Sequence, residues 1–170
     1  MVETEVKILG INERAVESRL KALGARKIFD GRIDGLALDF PDGVLWKSGA
    51  LLRLRKRGKN SELTFKRVVS GKRTKRAVEI ETDVSDFARA KRIFEALGLV
   101  EKWRISKHRT SYKLGKAEIE IDKLPGIPAY LEIEAESFGE IRRIAERLGF
   151  GAGELKPWSM RDVIAHYSKK

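Results

Sequence analysis

Eight stretches of this chain alternate apolar and polar residues with period two, and in most of them the polar positions are charged. The stretches are 2–9, 28–40, 51–56, 62–68, 78–84, 103–114, 116–121 and 129–135, and each reads as a β-strand. In the first, Glu3, Glu5 and Lys7 share one face while Val6 and Ile8 share the other. Glu79 and Glu81 stand against Val78 and Ile80, Glu118, Glu120 and Asp122 against Ile119 and Ile121, and Glu132 and Glu134 against Leu131 and Ile133. Cations alternate in the same way at Arg53 and Arg55, at Lys66, and at Lys107 and Arg109.

The connections at 57–60, 114–116 and 125–128 are short and glycine-bearing, which favours antiparallel hairpins over parallel crossovers. Three amphipathic helices end alike, in Leu23-Gly24, Leu97-Gly98 and Leu148-Gly149, where glycine can take the left-handed conformation past a helix end. The first starts at the N-cap Asn12, with Val16, Leu20 and Leu23 at helical spacing. The second starts near Ser85 with Phe87, Ala90, Ile93, Phe94 and Leu97 on one side, and the third at Ser137, with Glu140 completing a capping box. A fourth spans 159–167, after Pro157.

An open amphipathic sheet would show the same alternation, with its charges in water. Eight exposed polar faces would need one broad surface, however, while three helices already claim the apolar side. Closing the sheet turns the polar face into a lumen just wide enough for side chains or one small ligand. The expected fold is therefore α+β: an eight-stranded antiparallel closed β-barrel with helices packed on the outside, as a single domain over residues 1–170. The basic stretch 67–76, containing Ser70-Gly71, is expected to be a mobile loop or the tip of a long hairpin.

Composition narrows the chemistry. With no cysteine and only His108 and His166, the chain cannot build a disulfide framework, a zinc finger, an iron-sulfur site or a cysteine nucleophile, so any metal is held mainly by oxygen. Its apolar runs are only a few residues long, far short of the roughly 20 that span a bilayer. Met1 to Glu5 form neither a basic nor an apolar leader, which points to the cytoplasm. The net charge of +11 attracts nucleic acid, phosphorylated ligands or anionic surfaces. Abundant Lys, Arg and Glu, with no Gln and only Asn12 and Asn60, is also a heat-adapted composition in which much of the excess is solvated surface.

Charges gathered out of water must neutralise each other or a ligand. Close carboxylates raise one another's pKa unless a cation lies between them, and Mg2+ or Mn2+ suits carboxylate oxygen and substrate phosphates together. Arginine forks and lysine ammonium groups suit the remaining phosphate oxygens. Carboxylates, a hard divalent ion and a set of Arg and Lys describe a polyanion site, most simply one for a triphosphate.

The residues resemble a known family. Glu3-Thr4-Glu5-Val6-Lys7 is similar to the E-x-E-x-K opening of the CYTH family, the triphosphate tunnel metalloenzymes, closest to its CyaB-like class IV adenylyl cyclases. Leu52-Arg53-Leu54-Arg55, Thr64-Phe65-Lys66 and the run from Arg76 to Glu81 resemble its L-R-x-R, lysine and R-x-x-E-x-E strands. Lys107-His108-Arg109, with Tyr112, resembles its K-x-R element, and Ile121-Asp122, Pro125-Gly126 and Tyr130-Leu131-Glu132-Ile133-Glu134 resemble its closing block. Six elements in order are specific where E-x-E-x-K alone is not.

The resemblance implies an eight-stranded tunnel in which Glu3, Glu5 and Glu134, helped by Glu132 and Asp122, hold one or two divalent ions. It further implies that Lys7, Arg53, Arg55, Lys66, Arg76, Lys107 and Arg109 grip the phosphates, with Glu79 and Glu81 orienting the basic residues. Glu3, Glu5 and Lys7 would serve catalysis, Lys7 by helping to deprotonate the nucleophile if neighbouring cations lower its pKa. The implied substrates are ATP, thiamine triphosphate or tripolyphosphate, so cyclase and triphosphatase both stand. Only Met1 and Val2 precede Glu3, where bacterial cyclases carry a His-Phe pair, and residues 35–38 depart from the family's second strand. A noncatalytic nucleotide or polyphosphate sensor on the same fold is the third reading. A nucleic-acid binder is disfavoured, because Trp46, Trp103 and Trp158 are scattered rather than interleaved with the basic run.

Overall fold

A computed structural model describes the backbone of residues 2–70 and 75–168, and the side chains of 4–69 and 77–168. Eight strands appear: β1 Val2–Ile8, β2 Arg26–Asp39, β3 Ala50–Arg57, β4 Asn60–Ser70, β5 Lys75–Val84, β6 Val100–Leu114, β7 Ala117–Leu124 and β8 Ile127–Ala135. Their hydrogen-bonded order is β1-β5-β4-β3-β2-β6-β7-β8, a closed barrel, as the alternation predicted. The helices are α1 Glu13–Ala22, α2 Val44–Lys47, α3 Phe87–Ala96, α4 Phe138–Arg147 and α5 Met160–Ser168. By their contacts the described residues form two compact units, one of 31–69 and 77–107, the other of 2–30, 70, 75–76 and 108–168.

In the first unit Leu36, Leu38 and Leu54 project from the apolar faces of β2 and β3, and Leu99 joins them; Phe87, Ala90 and Phe94 of α3 pack on them with Leu45 of α2. In the second, Val6, Ile8, Ile119, Ile121, Leu131 and Ile133 form the apolar face of β1, β7 and β8, covered by Val16 and Leu20 of α1 and by Ile141, Ile144 and Leu148 of α4. Period two on the strands and 3.6 on the helices therefore meet at one layer in each unit. Asn12 caps α1 by accepting from the Ala15 N–H, Ser137 caps α4 through the Glu140 N–H, and Gly24, Gly98 and Gly149 take φ of 77°, 88° and 85° after their helices.

Four details differ from the sequence reading. The cap of α3 is Asp86, which accepts from the Arg89 N–H, not Ser85. On α3, Ile93 and Leu97 turn away from the packed stripe and are 59% and 64% exposed. Residues 67–70 and 75–76 continue β4 and β5 rather than forming a mobile loop, in keeping with the hairpin alternative, while 71–74 lie outside the described residues. The fourth is α2, which was not foreseen. There the Asp39 carboxylate accepts the N–H groups of Phe40, Leu45 and Trp46 at 2.7, 3.0 and 2.9 Å, closing a tight turn from β2 toward β3. Burial would raise the Asp39 pKa, but those three N–H donors outweigh it and hold the carboxyl below its ordinary value.

Candidate active site

Strand register builds the polar face of the second unit. Across β1 and β8, Glu5 stands opposite Glu134 and Lys7 opposite Glu132. Across β8 and β7, Glu134 meets Glu118, Glu132 meets Glu120 and Tyr130 meets Asp122. From β6, Arg109 stands opposite Asp122, Ser111 opposite Glu120 and Lys113 opposite Glu118. Six carboxylates (Glu5, Glu118, Glu120, Asp122, Glu132 and Glu134) thus share one face with three cations, Lys7, Arg109 and Lys113. Like charges directly opposed across a sheet repel unless a cation is shared between them.

Two of those cations sit at the centre. Arg109, only 6% exposed, donates to both oxygens of the fully buried Asp122 at 2.6 Å, to Glu132 at 3.1 Å, and pairs with Glu120. Burial alone would lower its pKa, but Asp122 and Glu120 hold it well above the ordinary value, so the guanidinium is permanently charged. The Lys7 ammonium lies 3.2 Å from Glu132 and 3.7 Å from Glu5. Its main chain exchanges two 2.8 Å hydrogen bonds with Lys156, which fixes the strand at that point. Here too burial acts to lower the pKa and is outweighed by Glu132 and Glu5, so the pKa rises. The charged groups beside Lys7 are the Glu132 and Glu5 carboxylates, so in the ion-free protein it is a held positive charge. The lowering by cations on which a role as base depends is not the direction found here.

The first unit carries the basic strands. Arg55 forks onto Glu62 across β3 and β4, at 2.5 and 3.0 Å, and lies 3.6 Å from Glu81. Arg53 donates to the Thr64 hydroxyl at 3.2 Å, and that hydroxyl donates to Glu81 at 3.1 Å. Glu79 bridges Lys66 at 2.9 Å and Arg53 at 3.7 Å. Lys107 is buried in the same unit. On β2 the residues opposite Arg55 and Arg53 are Gly35 and Ala37, so the departure at 35–38 places only small groups beside the two guanidinium forks. Burial would raise the Glu62 pKa, but Arg55 outweighs it and the value falls; burial and then Glu62 push Glu81 up.

The sequence-predicted residues are thereby distributed. Glu5, Lys7, Arg109, Asp122, Glu132 and Glu134 share the polar face of the second unit, and Arg53, Arg55, Lys66, Glu79 and Glu81 form one ion-pair network in the first. The side chains of Glu3 and Arg76 lie outside the described residues. Strand register sets Glu62 and Thr64 opposite the arginines; sequence reasoning gave Glu62 no role and quoted Thr64 only inside the lysine-strand motif. It also passed over Tyr130 as a polar group, quoting it only inside the closing motif.

Among the described residues no three acidic or histidine side chains converge into a ready cation cage. The donor chemistry nonetheless suits a hard divalent ion: all-oxygen ligands, no sulfur, and carboxylates opposed in register at Glu5 and Glu134 and at Glu120 and Glu132. No helix among the described residues is long and apolar enough to cross a membrane.

A family model described as the CYTH domain matches residues 1–148, and the chain belongs to that family. It is 30% identical over 134 residues to a protein of Methanocaldococcus jannaschii provisionally named an adenylate cyclase, MJ0240, covering 79% of this chain and 77% of the relative. Among solved structures it superposes on PH1012 of Pyrococcus horikoshii with a TM-score of 0.80 at 25% identity, covering 95% of this chain and 98% of that one. The Hippeastrum protein HpAC1, described as having a dominant triphosphatase activity, shares the fold with a TM-score of 0.69 at 15% identity, covering 97% of this chain and 95% of that one.

Proposed function

We propose that this protein is a divalent-metal-dependent enzyme acting on a triphosphate, in the manner of a CyaB-like class IV adenylyl cyclase that converts ATP to cyclic AMP and pyrophosphate. The observation that carries the reading is the register of β1, β7 and β8, which opposes carboxylate to carboxylate on one face of the sheet. Glu5, Glu134 and Glu132, with Asp122 and Glu3, would hold Mg2+ or Mn2+. A bound ion there would neutralise phosphate charge and orient the reacting phosphoryl group.

The protein's own groups supply the rest. Arg53, Arg55, Lys66 and Lys107, with Arg76, grip phosphate oxygens; the Arg55 fork suits two oxygens of one phosphate, as it suits Glu62 in the ion-pair network. Glu62 and Glu79 hold Arg55, Arg53 and Lys66 by ion pairs, so less side-chain entropy remains to be lost on binding. Lys7 and Arg109 hold the acidic side chains in place by charge. In cyclisation the ribose 3′-oxygen bonds to the α-phosphorus, its proton leaves to solvent, and the bond to the β-phosphate oxygen breaks to release pyrophosphate. In the second reading, favoured by the activity described for HpAC1, water attacks the terminal phosphorus instead.

Incubation with ATP, thiamine triphosphate and tripolyphosphate in turn, with Mg2+ and with Mn2+, followed by product analysis, tests the proposal. Cyclic AMP with pyrophosphate marks the cyclase and inorganic phosphate the triphosphatase; no metal-dependent product from any of the three overturns both. Glu5→Gln is expected to weaken metal binding and cut kcat at least tenfold while the fold survives, because it removes one member of a like-charged pair and leaves Lys7 its contact with Glu132. Arg55→Lys keeps a cation beside Glu62 but loses the fork, and should raise KM for the triphosphate several-fold. Unchanged kinetics in both variants would remove these residues from the site.

A further inference from the structure

Tyr130 is fully buried, yet its hydroxyl finds no hydrogen bond of normal geometry among the described residues. A buried phenol in an apolar core would simply be a poor choice over phenylalanine, because an unsatisfied hydroxyl is costly to bury. This one is not in an apolar setting. By the period of β8 it shares the polar face with Glu132 and Glu134, and it stands opposite Asp122 in register. The register shifts just beyond that pair, between Asp122 and Leu124, and such irregularities re-aim side chains. A phenol is protonated at neutral pH, so the hydroxyl is a donor, and the carboxylates beside it are Asp122 and Glu132.

Both acceptors are engaged elsewhere. Asp122 is taken by the Arg109 fork at 2.6 Å, and Glu132 by Arg109 and by Lys7 at 3.1 and 3.2 Å. An ion drawing carboxylate oxygens away from these cations changes their direction, and a donor already in place is then needed to steady whichever oxygen the ion does not take. Carboxylates that ligate a metal are commonly held this way by an outer hydrogen bond.

We infer that Tyr130 is a positioning residue whose hydroxyl is held in reserve for the ion-loaded state, donating to Asp122 or Glu132 once the divalent ion has drawn that carboxylate from Arg109. The inference rests on the reading of the acidic face as an ion site. It concerns affinity for the ion, not stability of the ion-free fold, and that separation makes it testable.

Tyr130→Phe removes one oxygen and nothing else. With Mn2+ alone as the probe, calorimetric titration of the variant is expected to give a Kd at least tenfold weaker than wild type, while the ion-free unfolding midpoint stays the same or rises. An unchanged Kd overturns the inference and leaves the ion site standing. A lowered ion-free midpoint overturns it too, since the hydroxyl would then be bonded without the ion. Wild-type protein that binds no Mn2+ removes the ion site itself. A second measurement needs no Tyr130 variant: with tyrosine ring carbons labelled and the signals of Tyr112 and Tyr167 assigned by their own Phe variants, Mg2+ should shift the remaining Tyr130 resonance. Its failure to move while Mg2+ binds would contradict the assignment.

Discussion

A single carboxylate shows how this protein trades stability for charge placement. Burial and the neighbouring Glu62 push the Glu81 pKa up despite Arg55 and Thr64, which means that the folded state disfavours its ionised form relative to the unfolded chain. For an acid whose folded pKa is raised, the cost is absent below the unfolded value and grows as pH rises through the folded one. Glu81→Gln should therefore raise the unfolding midpoint at pH 7, and the gain should vanish in acid, near pH 4 and below. A thermal scan at both pH values checks this; a variant less stable than wild type at pH 7 would mean that the contacts of Glu81 with Arg55 and Thr64 outweigh its burial. Glu62 has the opposite sign: Arg55 holds its pKa down against burial, so its stabilisation is present at neutral pH and lost as pH falls through the native value. Two glutamates one strand apart thus make opposite contributions, decided by which of them the guanidinium fork faces.

At the scale of elements, the turn between β2 and β3 depends on Asp39. Three main-chain N–H groups converge on its carboxylate, and hydrogen bonds to a charged group are each worth roughly 1.5–3 kcal/mol. Asp39→Ala should cost on the order of 2–4 kcal/mol, read by urea denaturation at neutral pH. Because the Asp39 pKa is depressed, the gap between variant and wild type should begin to close as pH falls below the ordinary carboxylate value of about 4, and be lost once it has fallen through the lower native value. The strands were legible in the sequence because apolar and polar residues alternate along them, and α1, α3 and α4 because each carries a helical apolar stripe and ends in a glycine at positive φ. The short α2 was not legible, since four residues carry no period and the signal lay in a side chain five residues upstream. On α3, two apolar stripes overlap in sequence and only the contacts select Phe87, Ala90 and Phe94 over Ile93 and Leu97. The charged positions of the site could be read from alternation. Their partners required register, and so Glu62, Thr64 and Tyr130 emerged only from the paired strands.

Over the whole molecule, charge runs against its own average. The chain carries +11, yet β1, β7 and β8 gather carboxylates on one face. An overall positive field helps to keep those carboxylates ionised and draws polyanions toward the protein. The CYTH-domain model matches residues 1–148, the stretch that contains all of these strands. The claim on which the account stands is that the opposed carboxylates of the second unit, Glu5 and Glu134 first among them, are held together for a divalent ion. Anomalous diffraction from crystals grown with Mn2+ and tripolyphosphate tests it most directly. The account predicts a manganese peak bonded to Glu5 and Glu134 oxygens; a peak elsewhere, or a bound triphosphate with no metal at either carboxylate, would contradict it.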